Sequence, residues 1–304
     1  MLTDDSRILA IEPDIYKAWL EQARAFKVTE TVLADLRGAD AAAKLRPARR
    51  GVGDIVVLRV GGFISQKASL MTLLFGGTST EALAEDVRAA VAEPSVGSIV
   101  LDFNSPGGSV FGLPEAAKVI RSLRGPKPIL AVSNPLMASA AYYLAAQADE
   151  IIATPSSLTG SIGTMAVHVD ESSLIEKLGL KVEEFTYGER KAEESGSKPL
   201  SSEARQAIQA RVDYYGTMFE ADVAKGRGIG PGRVRAHYGQ GAVFNAEEAL
   251  SSGMVDKLGV LEDVLGELAS GKRLKGRVVA EADPVEIAAR AALAGLTGLD
   301  PSVK

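Results

Sequence analysis

The chain has 304 residues and a formal net charge of −5, with 46% hydrophobic and 24% charged residues. This is an ordinary globular balance, long enough for one large domain or two small ones. There is no cysteine, and histidines number only two; this excludes a disulfide framework, a cysteine-ligated metal and a thiol nucleophile. The acidic balance and few aromatics argue against nucleic acid as a partner.

No apolar run approaches the ~20 residues needed to cross a bilayer. The first six residues are acidic and lack a signal-peptide layout, so a soluble, cytoplasmic protein without a membrane partner is expected. Residues 1–50 read as a helical extension and linker. Pro13 and Asp14 precede Ile15, Tyr16, Trp19, Leu20, Ala23 and Phe26, which share one helix face. A basic stretch over 44–50 then leads to Gly51 and Gly53.

From Asp54 the pattern changes. Residues 55–60 predict a strand, 78–91 a helix capped by Thr78 or Ser79, and 98–103 a second strand. A turn over 104–108, a helix over 110–124 and a third strand over 128–132 follow. The pattern continues with a helix over 138–148, strands over 150–153 and 165–169, a helix over 171–178 and a strand over 181–187. A long helix over 201–225 and helical pieces over 244–268, split at Gly253 and Gly259, complete it. Apolar strands alternating with helices imply an α/β fold, a mostly parallel sheet flanked by helices. The expected boundaries are 1–50, a domain over 51–270 and a tail over 271–304.

Three segments bear on chemistry. Ser105-Pro106-Gly107-Gly108 ends a strand with backbone N–H groups free of bulky side chains, fit to hold an oxyanion or simply to make a tight turn. Ser139 stands among small residues where a helix begins, as a nucleophile or as a helix cap. Gly160-Ser161-Ile162-Gly163 lets backbone pass close to a neighbour, as a groove lining or a buried bend. A serine nucleophile needs a base. His168 lies in an apolar run, His237 among Gly and Arg, and Lys191 in a charged loop.

The order of these segments carries a resemblance. Ser-Pro-Gly-Gly, Ala-Ser-Ala-Ala-Tyr-Tyr over 138–143, Ala-Asp-Glu-Ile-Ile-Ala over 148–153, Gly-Ser-Ile-Gly and then Gly188-Glu189-Arg190-Lys191 resemble the signal peptide peptidase A family of Ser/Lys peptidases. More closely the chain is similar to the capsid (prohead) protease branch of tailed phages and prophages. The similarity runs from about Gly53 to Leu265 and includes Ala-Leu-x-x-Gly-x-Val-Asp over 249–256. Ala140-Ala141 stands where membrane-bound relatives commonly have Gly-Gly, which marks the phage branch.

The resemblance implies a crotonase/Clp-like α/β fold and a serine endopeptidase. Ser139 matches the nucleophile and Lys191 the general base. The backbone of Gly107 and Gly108, with the N–H of Ala140, matches the oxyanion hole, and Ser161 and Gly160 are supporting. Neither a metal nor another cofactor is implied. The expected substrates are scaffold, portal or coat proteins, cut in the host cytoplasm or the assembling prohead. The expected assembly is a homo-oligomeric ring or dome, in which some relatives supply the lysine from a neighbouring subunit. The apolar residues 63–75 match a flap near the groove. A lysine that accepts a proton near neutral pH must sit away from water, so Lys191 is expected to turn inward while Glu189, Glu193 and Glu194 face solvent. Other readings are a cytoplasmic peptidase that degrades peptides, a crotonase-type acyl-CoA enzyme, a catalytically silent capsid-assembly protein, and a Ser-His-Asp protease with His168 as base.

Overall fold

Residues 99–101 and 129–132 are apolar at every position because both faces of their strands are covered. Ile99 and Leu101 point into one core and Val100, between them, into another. The computed structural model describes residues 8–11, 54–68 and 76–271. Within them one sheet has ten strands: β1 (Ile8–Ile11), β2 (Asp54–Ser65), β3 (Thr78–Ser79), β4 (Val96–Ser109), β5 (Ile129–Ala138), β6 (Glu150–Ala153), β7 (Leu158–Gly160), β8 (Met165–Ala166), β9 (Val243–Asn245) and β10 (Lys257–Leu258). The helices are α1 (Thr80–Ala92), α2 (Leu113–Ser122), α3 (Ala140–Ala145), α4 (Ser172–Lys177), α5 (Ser202–Arg227), α6 (Pro231–His237), α7 (Ala246–Ser251) and α8 (Leu261–Ala269).

The central strands β2, β4, β5, β6 and β10 run parallel. The larger core, from Leu58, Leu101 and Phe103 to Ile120, Tyr142 and Phe219, lies under α1, α2, α3 and α5. The smaller one joins Ile55, Val100, Leu130, Val132 and Ile152 to Val264 of α8. The expected α/β class with a mostly parallel sheet flanked by helices is what the chain forms. Local signals fix several boundaries. Ser79 caps α1 through the Ala82 N–H at 3.3 Å, and Ser201 caps α5 through that of Ala204 at 3.0 Å. Asn245 and Glu248 close a capping box on α7.

Several expectations need correction. Residues 104–108 are strand rather than turn, because β2 and β1 both pair with them. The third strand runs on to Ala138, past a register shift at Phe103/Asn104 that leaves Asn134 and Pro135 without β4 partners. Residues 181–187 form no strand. They are exposed and no strand of the sheet pairs with them, so their alternation is not used in a ladder. The strand expected over 165–169 stops at Ala166, where its pairing with β1 ends. Between Gly253 and Gly259 the chain forms β10 instead of helix. Inside the segment read as a helical extension, Ile8–Ile11 are a strand of the main sheet. The helix expected near Trp19, the linker over 44–53 and the tail beyond Gly271 lie outside the described residues, as does most of the 63–75 stretch.

Candidate active site

Ser139 sits where β5 ends and α3 begins. Its backbone is at φ 54°, ψ −116°, a region side-chain-bearing residues rarely adopt. A sharp strand-to-helix corner of this kind lifts a serine hydroxyl out of the backbone ladder. Three backbone contacts hold the corner. The Ser139 N–H donates to the Gly160 carbonyl at 2.7 Å, the Tyr143 N–H donates to the Ser139 carbonyl at 2.9 Å, and the Ser161 N–H donates to the Ala242 carbonyl at 2.7 Å. The Oγ of Ser139 is buried and makes no hydrogen bond. A helix cap would spend that oxygen on its own helix; here α3 has no side-chain cap.

The small residues around Ser139 have a packing reason. Ala138, Ala140 and Ala141 are all fully buried. Beneath them Tyr142 donates to the Met254 carbonyl at 2.9 Å and Tyr143 to Asp222 Oδ2 at 2.5 Å. Burial first, then the Asp222 carboxylate, raises the Tyr143 phenol well above the usual tyrosine range. Arg227, 3% exposed, donates twice to Asp256, at 2.7 and 2.8 Å, and once to the Gly253 carbonyl. Burial opposes the Arg227 charge, but Asp256 together with Tyr142 and Tyr238 raises its pKa. These anchors on α5 and beyond α7, which sequence reasoning missed, fix α3 from below. Their only sequence signal is the family-like ending over 249–256.

The glycines are structural necessities. Gly107 has φ 106°. A Cβ on Gly108 would fall 1.9 Å from the Ile64 carbonyl oxygen. Gly160 has φ 135°, and a Cβ there would meet the Ala242 oxygen at 2.6 Å. Ser161, at φ 55°, is buried directly beside it. The β4–β5 register ends with Ser105 opposite Met137, two residues before Gly107 on one strand and before Ser139 on the other. The Gly107 N–H itself donates to Ser105 Oγ at 3.1 Å, so it is already engaged.

The two expected bases lie differently. His168 lines a cavity of about 230 Å³ with Glu171, Glu194 and Arg211, and its buried Nε2 has no partner. Lys191 is exposed, in a turn closed by its own N–H to the Gly188 carbonyl. Neither hydrogen-bonds to Ser139. The charges around Lys191 also depart from expectation. Arg190 points outward and clasps Glu193 with two bonds of 2.7 Å, while Glu194 turns in to pair with Arg211. Glu193 and Glu194 are thus partly covered, each against an arginine, whereas Glu189 is exposed as expected.

The family model for peptidase family S49 matches residues 121–275, more than half of the chain. The chain belongs to peptidase family S49. That match takes in Ser139, the Gly160–Ser161 support and Lys191 of this S49 chain. Among curated proteins, the S49 chain is 29% identical over 258 residues to capsid assembly protease C of Escherichia phage lambda, covering 82% of this chain and 58% of that protein. It is 30% identical to head-tail preconnector protein GP5 of Enterobacteria phage P21, covering 81% and 49%. To protease 4 of Salmonella typhi it is 32% identical, covering 66% and 32%. The S49 chain thus spans about half the length of the phage relatives. A solved structure of the 1510-N membrane-bound stomatin-specific protease, in mutant form, matches with a TM-score of 0.45 and 13% identity over 72% of this chain and 85% of that one. No helix among the described residues is long and apolar enough to cross a membrane.

Proposed function

We propose that this S49 chain is a serine endopeptidase that cuts scaffold, portal or coat proteins during phage capsid maturation, with Ser139 as nucleophile and Lys191 as general base. The observation that carries the reading is Ser139 itself: a strained strand-to-helix corner whose buried Oγ is left unspent. A fold spends strain and an unsatisfied hydroxyl at a place where chemistry uses them.

The steps balance in protons. The neutral Lys191 amine takes the proton from Ser139 Oγ as that oxygen attacks the scissile carbonyl carbon. The N–H groups of Gly108 and Ala140 hold the resulting oxyanion, since that of Gly107 is engaged by Ser105. The Lys191 ammonium then protonates the leaving amine, and an acyl-enzyme remains. Water then gives a proton to Lys191 as it attacks the acyl carbon, and Lys191 returns that proton to Ser139 Oγ as the acyl–oxygen bond breaks and the acid leaves.

Lys191 comes from a neighbouring copy in this reading. Its exposure in one chain does not suit a base, and the residues before it are unpartnered: Leu178, Leu180 and Val182 are exposed, Phe185 is 89% exposed and Tyr187 wholly so. An apolar stretch of this kind marks an interaction surface, and a homo-oligomer that covers it would also dry the lysine.

The test is co-expression with the neighbouring scaffold and coat proteins, read by mass spectrometry of the products. Wild type is expected to cut, and Ser139→Ala and Lys191→Ala each to be silent. Mixing the two silent variants is expected to restore part of the activity, because one copy brings the serine and its neighbour the lysine. Cutting by Lys191→Ala alone would sink the dyad and favour His168.

A further inference from the structure

A strand in a sheet has two edges. Along one edge β4 carries β2, through Phe63 opposite Gly107 and Ile64 opposite Gly108. On the other edge β5 is paired only as far as Ser105 opposite Met137, because the chain then turns at Ser139 into α3. The edge that β5 vacates is taken by β1. It runs antiparallel, with Leu9 opposite Ser109, Ala10 opposite Gly108 and Ile11 opposite Gly107. The far edge of β1 pairs antiparallel with β8, Ile8 opposite Ala166 and Leu9 opposite Met165. So β1 lies between two strands of the domain that do not pair with each other, and its C-terminal end lies opposite Gly107, just past the point where β5 leaves β4 for Ser139.

Such a slot recognises backbone. Its two edges offer N–H and C=O groups to any extended peptide laid between them, which is recognition by strand addition. The direction matters as well. β1 runs from Ser109 towards Gly107, so it occupies the place of substrate residues on the N-terminal side of the bond presented to Ser139. It is only four residues long and is joined to β2 by the 42 residues between Ile11 and Asp54. Covalent attachment to the same chain makes its return to the slot independent of protein concentration, while so short a strand remains displaceable.

We propose that Ile8–Ile11 is a built-in occupant of the peptide-binding slot, which a protein substrate must displace before Ser139 can act. This deepens the peptidase reading above and rests on it.

The experiment measures binding, so that it does not depend on turnover. A fluorescein-labelled peptide with the sequence of residues 6–13 is titrated by anisotropy into the full-length Ser139→Ala protein and into the same protein carrying Leu9→Pro or Ala10→Pro. Proline removes the N–H, and neighbouring residues of a strand direct theirs to opposite edges, so the two variants loosen β1 from different sides. An occupant present nine-tenths of the time weakens apparent affinity about tenfold, so the proline variants are expected to bind roughly tenfold tighter than their parent. Equal or weaker binding in both variants overturns the proposal. Hydrogen exchange in the parent protein gives an answer independent of any proline. Excess unlabelled peptide is expected to speed exchange at Leu9, Ala10 and Ile11, and unchanged exchange under saturating peptide also overturns it. Loss of the peptidase reading would show instead as cleavage that survives Ser139→Ala.

Discussion

The amide of Ser139 and the carbonyl of Gly160 meet at 2.7 Å, and this contact joins the corner after β5 to the end of β7. Gly160 can serve because its φ of 135° turns the carbonyl towards Ser139 while its missing side chain leaves room for Ala242. The corner that carries the candidate nucleophile is therefore held by a residue that no other amino acid can replace without strain.

Gly160→Ala tests that relationship. A Cβ 2.6 Å from the Ala242 oxygen forces the backbone apart. The expected cost is about 1–3 kcal/mol of stability, and displacement of Ser139 by about 1 Å lowers kcat/KM by roughly a hundredfold. Thermal melting and peptide hydrolysis measured on the same preparation check both.

Tyr143→Phe removes the donor to Asp222 and is expected to cost about 2 kcal/mol, as for a hydrogen bond to a charged group. The same residue gives a pH signature. Its folded pKa lies above the ordinary 10.0, so below pH 10 both states keep the proton and its contribution is intact. As pH rises past that point the unfolded chain releases the proton first, and stability falls. Urea titrations at pH 9 and above 10 are expected to show a smaller loss for Tyr143→Phe than for wild type.

Glu184 clasps the loop that carries Lys191. Its carboxylate accepts from Ser197 Oγ at 2.8 Å and from Lys198 Nζ at 2.9 Å. Hydrogen bonds from Ser195, Lys198 and Ser197 hold its pKa down at about 2, against an ordinary 4.5. A depressed carboxyl stabilises the fold above its unfolded pKa, so the clasp is intact above pH 4.5 and is lost as pH falls through about 2. Amide exchange over 184–198 is expected to quicken across that window in wild type. In Glu184→Gln it is expected to be fast at every pH.

Phe185→Asp and Tyr187→Asp place charge on the exposed apolar stretch before Lys191. Both are expected to leave the melting temperature of the chain nearly unchanged, to shift sedimentation towards the monomer and to lower hydrolysis in parallel. A monomer that cuts as well as the wild type would remove the case for a lysine supplied by a neighbour.

Arg227→Met leaves Asp256 without its buried partner. Breaking one half of a buried pair typically costs about 3–5 kcal/mol. The urea midpoint is expected to fall accordingly, and α3 to loosen with it, since Tyr142 and Arg227 meet the same 253–256 segment.

Much of the scaffold was legible in the sequence, for local reasons. Continuous apolar runs at 99–101 and 129–132 announce strands covered on both faces, and Ser79 and Ser201 announce helix starts. A serine among alanines at a strand-to-helix junction marks the corner at Ser139, because only small residues fit where two elements meet so closely.

What only the tertiary structure decided depends on residues far apart in the chain. Gly107 and Gly108 look like a turn locally, yet they are strand, because Phe63–Ile64 and Leu9–Ile11 supply partners on both sides. Residues 181–187 alternate like a strand and form none, since no strand of the sheet pairs with them. The anchors Tyr143–Asp222 and Arg227–Asp256 carry no local signature, since each joins segments separated by a helix or more. The position of β1 against Gly107 and Gly108 is of the same kind. A strand's own sequence sets its propensity, but the edge it fills is set by where other strands end.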